Sequence, residues 1–273
     1  MRETTEECKY QTSKISIYVT KDRMILLDCQ ALFSAAILDD VLRNRPSIYQ
    51  KLDELSKGKA EIAVEIESLQ FISFLLQICH TVLFCFDWFL DIDVIRHVRV
   101  AEMLRIPPHP FTIFNEQVSP KPHRRTNLVF VHNRAEAEDF LPCTIIHRSN
   151  ILNRLFADSS LNINGGLSVL DILPDSFKGN STRVNYIPLP DFKNRSKFEH
   201  FQSEYDQLPE GIIDYDKIIK MLRIRLLALP KDGFTNKDQM LTEKQWYCLA
   251  SKTWRSSWSN ADLAKFASFM TSS

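Results

Sequence analysis

The amino-acid sequence predicts an α/β protein with a mostly parallel sheet covered by helices on both faces. Unbroken apolar runs, typical of strands buried on both faces, recur at residues 23–29, 81–86 and 127–131. Stretches with helical spacing lie between these runs, and strands that alternate with helices indicate a parallel sheet. Because ligands bind at the carboxyl ends of such strands, the residues that end these runs are the first functional candidates.

The composition and charge of the chain limit its class. The 273 residues are 44% hydrophobic and 25% charged, as in ordinary globular proteins. The 34 basic residues equal the 34 acidic residues, so no overall field attracts nucleic acid or an anionic membrane. We therefore predict no membrane partner and no direct sequence-specific contact with nucleic acid. The six cysteines form no CxxC pair, which favours reduced thiols and a reducing location, cytosolic or nuclear. Of these two we predict the cytoplasm.

The first part of the chain predicts a hairpin followed by helices. Alternating apolar residues indicate a half-buried strand that turns back at Lys21 and Asp22, and helical spacing follows. The predicted elements are a flexible lead-in at 1–13, strands at 14–20 and 23–29, a helix from residue 34, a polar break at 53–59 and a helix at 60–78.

The apolar segment 69–90 has about the length needed to cross a bilayer, but it predicts two elements of a globular fold. Gln70, Gln77, His80 and Asp87 would each be costly in lipid. We therefore predict the end of a helix followed by a buried strand.

The middle of the chain predicts a long loop between regular elements. Asp91 can cap a helix at 92–101, and five of the twelve prolines lie at 106–126. The other predicted elements are the strand 127–131, a helix at 149–157, a strand at 184–189 limited by Pro188 and Pro190, and a polar loop at 191–210.

The carboxyl-terminal part carries the clearest helical signals. Asp214 can cap one helix, and the capping box Thr-Glu-Lys-Gln at 242–245 begins the helical region 242–270. Trp246, Trp254 and Trp258 recur there at helical spacing. In domain terms, we predict the lead-in 1–13 and one α/β domain at 14–273.

Several polar or aromatic side chains are functional candidates, and each has a structural alternative. Asp28 ends the first apolar run, so it would bind magnesium through water or serve as a turn or capping aspartate. Asn133 and Arg134 would contact a base or a phosphate, or form the polar end of a strand. Thr12 would contact a metal-bound phosphate, or have no ligand. The tryptophans would pack in a core or, if exposed, bind a partner.

Motifs that are absent from this sequence exclude several chemistries. The chain contains no GxxxxGK[ST], no GxSxG and no glycine cluster that could cradle phosphate. Its seven histidines show no metal-ligand spacing with the cysteines. We therefore expect neither a zinc site nor a covalent mechanism, and no cofactor for this chain.

Several segments together resemble a known family. They are 11–13, KISIYVTKDRMILLDCQ at 14–30, CHTVLFCFDWFLDI at 79–92, LVFVHNRAEAEDF at 128–140 and LTEKQWYCLASKTWRSSWSNADLAKF at 241–266. The chain resembles the SMG-nine family, the regulatory subunit of the SMG-one kinase complex of nonsense-mediated mRNA decay. The resemblance covers essentially residues 11–270, and LTEKxW with the following tryptophan is its most specific part.

The resemblance implies a G-domain-like (P-loop NTPase-like) fold and a non-catalytic subunit. Such a subunit forms a heterodimer with the SMG-eight subunit and restrains the SMG-one kinase. By this likeness Thr12 matches the switch-one threonine and Asp28 the metal-side aspartate of the third G-motif. Asn133 and Arg134 match the base-reading motif. The carboxyl-terminal tryptophans are candidates for partner binding.

Three departures from the family pattern indicate a pseudo-GTPase. The third motif ends in Ala31 where a glycine is usual, and the fourth ends in Glu136 where an aspartate is usual. The sequence also begins after the position of the family's first strand and P-loop. On this basis we expect a fragment or a truncated gene, in which strand 23–29 either pairs directly with strand 81–86 or flanks a gap.

Two main functions follow from the sequence. The first is the non-catalytic regulatory subunit. The alternative is a GTPase or ATPase in a full-length form with a P-loop, which would bind GTP, GDP or ATP together with magnesium. A generic α/β interaction module is a third possibility.

Overall fold

The described strands form separate hydrogen-bonded sheets in a chain that divides into two compact units. The first unit is Met1–Phe74 with Trp254–Ser273, and the second is Leu75–Thr253. The predicted single domain at 14–273 stays a prediction. The computed structural model describes residues 12, 15–43, 50–105, 110–113, 116–121, 124–174, 177, 182–190, 215–235 and 241–272.

The first unit contains the predicted hairpin. Strand β1 (Ile15–Val19) pairs antiparallel with β2 (Ile25–Cys29), with Ile17 opposite Leu27. Arg23 lies before β2 with a φ of 59°, and its N–H donates to the Thr20 carbonyl at 2.9 Å. The predicted hairpin is therefore confirmed, although its second strand begins two residues later than predicted.

The prediction that residues 23–29 form a strand buried on both faces of a parallel sheet is wrong. Leu26 is 45% exposed and Asp28 is exposed. In the described part of the chain β2 pairs with β1 alone, so direct pairing with residues 81–86 is also wrong. An antiparallel hairpin commonly leaves one face exposed to solvent, whereas a parallel sheet has helices on both faces. The alternative, that β2 flanks a gap, stays a prediction.

The other described elements in the Met1–Phe74 part of the first unit are helices. They are α1 (Ala35–Arg43), α2 (Gln50–Ser56) and the greater part of α3 (Ala60–Ile78). The bounds of α3 are those predicted from the sequence. The polar break predicted at 53–59 is wrong, because residues 53–56 complete α2. Leu52 and Ser56 are buried there, while Lys51, Asp53 and Glu54 are exposed. Gly58, with a φ of 77°, follows the helix.

The second unit contains the parallel sheet, which confirms the α/β class. In chain order its elements are β3 (Thr81–Phe86), α4 (Ile92–Met103), β4 (Phe111–Ile113), β5 (Glu116–Val118), β6 (Asn127–Ala135), a 3-10 helix (Ala137–Phe140), α5 (Pro142–Leu155), α6 (Val169–Ile172), β7 (Tyr186–Pro190) and α7 (Tyr215–Ala228). The strand order is β3-β6-β7, and both pairings are parallel. The G-domain-like assignment stays a prediction.

Helices α8 (Glu243–Ser257) and α9 (Ala261–Ser272) end the chain. The predicted capping box is confirmed: Thr242 N donates to Gln245 Oε1 at 2.9 Å, and Gln245 N donates to Thr242 Oγ1 at 3.2 Å. Asp91 caps α4 as predicted, because its Oδ1 accepts from Asp93 N at 2.9 Å.

Several predicted bounds need correction. Strand β3 is only half-buried, with Leu83 44% exposed, because it forms an edge of the described sheet. The loop predicted at 106–126 holds the β4–β5 hairpin, whose Phe111 and Val118 are buried in a small core. Apolar burial overrides the proline signal there. The predicted loop 191–210, the cap at Asp214, and residues 106–109, 114–115 and 122–123 lie outside the described residues.

The strand and helix around residue 140 are longer than predicted. Strand β6 runs to Ala135, and α5 begins at Pro142, where a proline is favourable at the first helical position. Strand β7 contains Pro188, which is tolerated because β7 is an outer strand of the described sheet. Helix α3 ends at Ile78 and β3 begins at Thr81, as predicted for segment 69–90. Across the described residues, every helix is too short or too polar to span a membrane.

Candidate functional site

Thr12 and Asp28 lie together in the first unit. Thr12 Oγ1 donates to Asp28 Oδ2 at 2.9 Å, although the two residues are 16 positions apart in sequence. Hydroxyl and carboxylate oxygens are ligands of the type that magnesium prefers. Within the described ranges, no group of three or more acidic, histidine or cysteine side chains is arranged to hold a metal ion. The pair fits magnesium in ligand type, and further ligands would have to come from elsewhere.

Asn133 and Arg134 lie within the last residues of strand β6, and not after the strand as predicted. The register of β6 against β7 shifts between His132 and Ala135, so the strand continues past a local irregularity. Arg134 has a φ of 52°, and its Nη2 lies 3.3 Å from Asp87 Oδ2 at the end of β3. The guanidinium therefore balances a carboxylate of this same protein.

A buried polar network lies beside Asn133 and Arg134. Arg148 of α5 donates from Nη1 to the Tyr186 hydroxyl at 2.7 Å and from Nη2 to the Asp139 carboxylate. His132 Nδ1 lies 3.2 Å from the Tyr186 hydroxyl, and His132 Nε2 lies 3.3 Å from the Asp87 carbonyl oxygen. The network therefore joins β6, β7, the 3-10 helix and α5 at one end of the sheet.

Burial sets the protonation states in this network. It lowers the pKa of His132, an effect that Asp139 opposes and Arg148 reinforces. It also raises the pKa of Tyr186, so the hydroxyl stays protonated at neutral pH. His132 is 4% exposed and Tyr186 is 0% exposed. His132 and Tyr186 are shielded from water and hydrogen-bonded within the protein, so the network stabilises this end of the sheet.

Aromatic rings surround the same network. The ring of Phe86 stacks on His132 with a centroid distance of 5.6 Å and an interplanar angle of 15°. Phe89 packs edge-on against Tyr186 at 5.6 Å, and the Arg148 guanidinium lies 4.7 Å from the Phe89 ring centroid. The protein's own side chains thus pack around the ends of β3, β6 and β7, where an open α/β sheet usually binds its ligand.

Sequence reasoning identified only part of this arrangement. It singled out Asn133 and Arg134 but missed Asp139, Arg148 and Tyr186. These three residues lie on different elements, and none belongs to a local motif. A buried tyrosine within the apolar strand β7 was the available signal, because a buried hydroxyl needs a hydrogen-bond partner.

The three tryptophans are half-buried and pack against other apolar residues. Trp246 contacts the small core of Phe111, Val118, Phe234 and Leu249, and its Nε1 donates to the Ile78 carbonyl at 2.9 Å. In the first unit, the Trp254 ring packs against rings of its neighbours: Phe71 at 5.2 Å, Phe74 at 5.1 Å and Trp258 at 6.0 Å. Their role in partner binding stays a prediction.

Curated proteins of known name show what this chain is similar to. No family model matches the chain. Three curated relatives share the printed name "Nonsense-mediated mRNA decay factor SMG9". The chain is 28% identical to the Xenopus laevis protein over 93% of its length, 29% identical to the Salmo salar protein over 93%, and 30% identical to the Caenorhabditis briggsae protein over 90%.

The chain is similar to SMG-nine (SMG9) proteins along at least 90% of its length. The resemblance found in the sequence is thereby confirmed. The chain spans about half the length of the curated SMG9 relatives it matches, 51% of the Xenopus laevis protein and 52% of the Salmo salar protein.

Proposed function

We propose that this chain acts in nonsense-mediated mRNA decay as a non-catalytic regulatory subunit. In this role it pairs with the SMG-eight subunit and restrains the SMG-one kinase in the cytoplasm. The observation that carries the proposal is the similarity to SMG9 relatives named as decay factors along at least 90% of the chain. The same likeness is the basis for proposing a G-domain-like fold.

The geometry at the end of the parallel sheet supports a non-catalytic role. Arg134 is engaged by Asp87, and His132 and Tyr186 are buried in a hydrogen-bonded network. Catalysis needs a polar group that reaches the substrate. In this part of the described chain the polar groups are directed at one another, which suits a scaffold.

A reconstitution experiment tests this proposal. The chain would be co-expressed with a tagged SMG-eight subunit and then with the SMG-one kinase. We expect stoichiometric co-purification with SMG-eight and lower kinase activity toward the RNA helicase of the decay pathway. A folded chain that elutes alone from size-exclusion chromatography with each partner would contradict the proposal.

The carboxyl-terminal tryptophans are the proposed partner-binding positions. Trp258 lies just past α8 and Trp254 lies within it, and both are half-buried, so part of each ring remains at the surface. Trp258→Ala is expected to reduce SMG-eight co-purification strongly while it lowers the unfolding midpoint only slightly. Trp246 packs against the small core, so Trp246→Ala is expected to lower both stability and partner binding.

A nucleotide-binding role in a longer form is the second candidate. It is favoured by the 2.9 Å contact between Thr12 and Asp28, the two residues that the resemblance assigns to magnesium. In such a form, a P-loop would cradle GTP or ATP, while Thr12 and Asp28 would hold the magnesium ion. A steady-state phosphate-release assay on protein that includes a P-loop separates the two roles. Release that is lost in Asp28→Asn would favour the second.

A further inference from the structure

Helix α7 has an outer face whose composition differs from an ordinary solvated face. The inner face buries Ile218 and Leu222, and Arg225 Nη2 donates to the Asp171 carbonyl at 3.2 Å. These contacts hold α7 against the rest of the second unit, to which it belongs. The opposite side of the helix remains in contact with water.

The outer face carries aliphatic side chains among basic ones. Ile219, Ile224 and Leu227 are 36%, 49% and 39% exposed. At 3.6 residues per turn, these three positions fall on one arc of roughly 140°. Two basic residues, Lys220 and Arg223, lie within the same arc, together with the exposed Asp216 at its amino-terminal end. Both basic residues are exposed. The surface therefore combines an apolar stripe with positive charge.

The charge of this segment stands out in a chain with equal numbers of acids and bases. Between residues 215 and 231 there are five basic residues and one acid, Asp216. The basic residues are Lys217, Lys220, Arg223, Arg225 and Lys231. A local positive field on a neutral protein favours a partner with local negative charge.

The side chains between the cations decide which anionic partner fits. A phosphate backbone gains little from isoleucine and leucine, and this arc presents no aromatic ring on which a base could stack. A membrane-binding helix needs its main apolar stripe outside, but Ile218 and Leu222 of α7 are buried. A protein segment with both aliphatic and acidic residues satisfies both parts of the surface.

We propose that the outer face of α7 docks an acidic amphipathic helix of a partner protein. Aliphatic residues of that helix would cover Ile219, Ile224 and Leu227, and its carboxylates would meet Lys220 and Arg223. This surface lies apart from the candidate residues Asp28, Asn133 and Arg134 in sequence. It does not depend on which complex the chain enters.

Fluorescence polarisation tests the proposal with a defined probe. The probe is a fluorescein-labelled peptide of about 20 residues built from Glu-Leu-Glu-Ala-Leu-Glu-Glu repeats, which forms an acidic amphipathic helix. We expect saturable binding that weakens at least about tenfold, or about 1.4 kcal/mol, in the double variant K220E/R223E. Ile224→Ser is also expected to weaken it, because the aliphatic contact is part of the site.

Matched controls separate this surface from general electrostatics. K51E/K59E makes the same charge change at exposed positions elsewhere and should leave peptide binding unchanged. Circular dichroism melting verifies that each variant is folded. The proposal is overturned if the peptide does not saturate, or if K220E/R223E binds it like the parent. Tighter, K220E/R223E-sensitive binding of single-stranded oligouridine or of phosphatidylserine vesicles would overturn it as well.

Discussion

At the scale of single residues, Arg124 illustrates how a buried cation stabilises the end of a helix. It is 6% exposed, and its Nη2 donates to the carbonyls of Leu76 at 3.3 Å and Gln77 at 3.1 Å. Its guanidinium lies 4.5 Å from the Phe234 ring centroid. The last carbonyls of α3 have no partners within the helix, so the cation satisfies them and matches the negative end of the helix dipole.

Replacing Arg124 by methionine is therefore expected to lower the free energy of unfolding by about 3 kcal/mol. The substitution keeps much of the side-chain volume but removes the donors to the carboxyl end of α3. Urea unfolding followed by circular dichroism would measure the loss. Arg124→Lys keeps the charge with fewer donors, and we expect an intermediate value. An unchanged unfolding midpoint in Arg124→Met would contradict the capping role.

His80 gives the protein a predictable response to acid. Its pKa is lowered from 6.5 to about 4, chiefly by burial and in addition by the nearby cations Arg124 and Lys231, while Asp232 opposes them. Between these two pH values the unfolded chain binds a proton at His80 and the folded chain does not. Stability is therefore expected to fall as pH drops from about 6.5 to about 4, by up to about 3 kcal/mol.

His80→Phe tests this response, because it removes the titrating group and keeps an aromatic ring against Phe234. In the parent, the ring centroids of His80 and Phe234 are 4.3 Å apart. We expect the variant to lose less stability than the parent between pH 6.5 and pH 4, as measured by urea unfolding at each pH. His147→Gln changes an exposed histidine on α5 and retains His80, so it should keep the parent's acid dependence. Equal acid dependence in His80→Phe and the parent would exclude His80 as its source.

At the scale of elements, the small core around Trp246 explains how the β4–β5 hairpin is held. Phe111 and Val118 of the hairpin are buried with Phe234 and Leu249, and Leu241 and Trp246 pack against them. This core joins segments that are more than 100 residues apart in sequence. A proline-rich stretch acquires its strands because these apolar side chains are removed from water.

Trp246→Phe is expected to destabilise the protein by about 1–2 kcal/mol, because the ring is kept while the Nε1 donor to Ile78 is lost. Trp246→Ala removes the ring as well and is expected to cost about 3–5 kcal/mol. Thermal unfolding would measure both. The adjacent Tyr247 is 59% exposed, so Tyr247→Ala should change stability little. Comparable losses at positions 246 and 247 would contradict the packing described.

At the scale of the whole molecule, this chain is expected to bind no nucleotide tightly. The backbone donors of a P-loop contribute about 1.5–3 kcal/mol each, and several of them account for most of a micromolar affinity of about 8 kcal/mol. The sequence contains no GxxxxGK[ST] to supply them. Titration of the chain into a fluorescent GTP or ATP analogue should show no saturation in the low-micromolar range, and saturation there would contradict the prediction.

The sequence by itself determined the features that depend on neighbouring residues. The bounds of α3 and β3, the cap of α4 by Asp91 and the capping box at 242–245 were predicted correctly, since periodicity and capping are local. The resemblance to SMG9 proteins was also evident from the sequence, because its most specific motif, 241–246, is a continuous segment.

Only the tertiary structure decided which of these elements meet and which atoms they bring together. It placed the apolar run that ends in Asp28 in an antiparallel hairpin, brought Thr12 to 2.9 Å from Asp28, and converted residues 53–56 into helix. It also assembled Asp139, Arg148 and Tyr186 around His132. Burial and long-range hydrogen bonds depend on partners distant in sequence, and no local pattern specifies those partners.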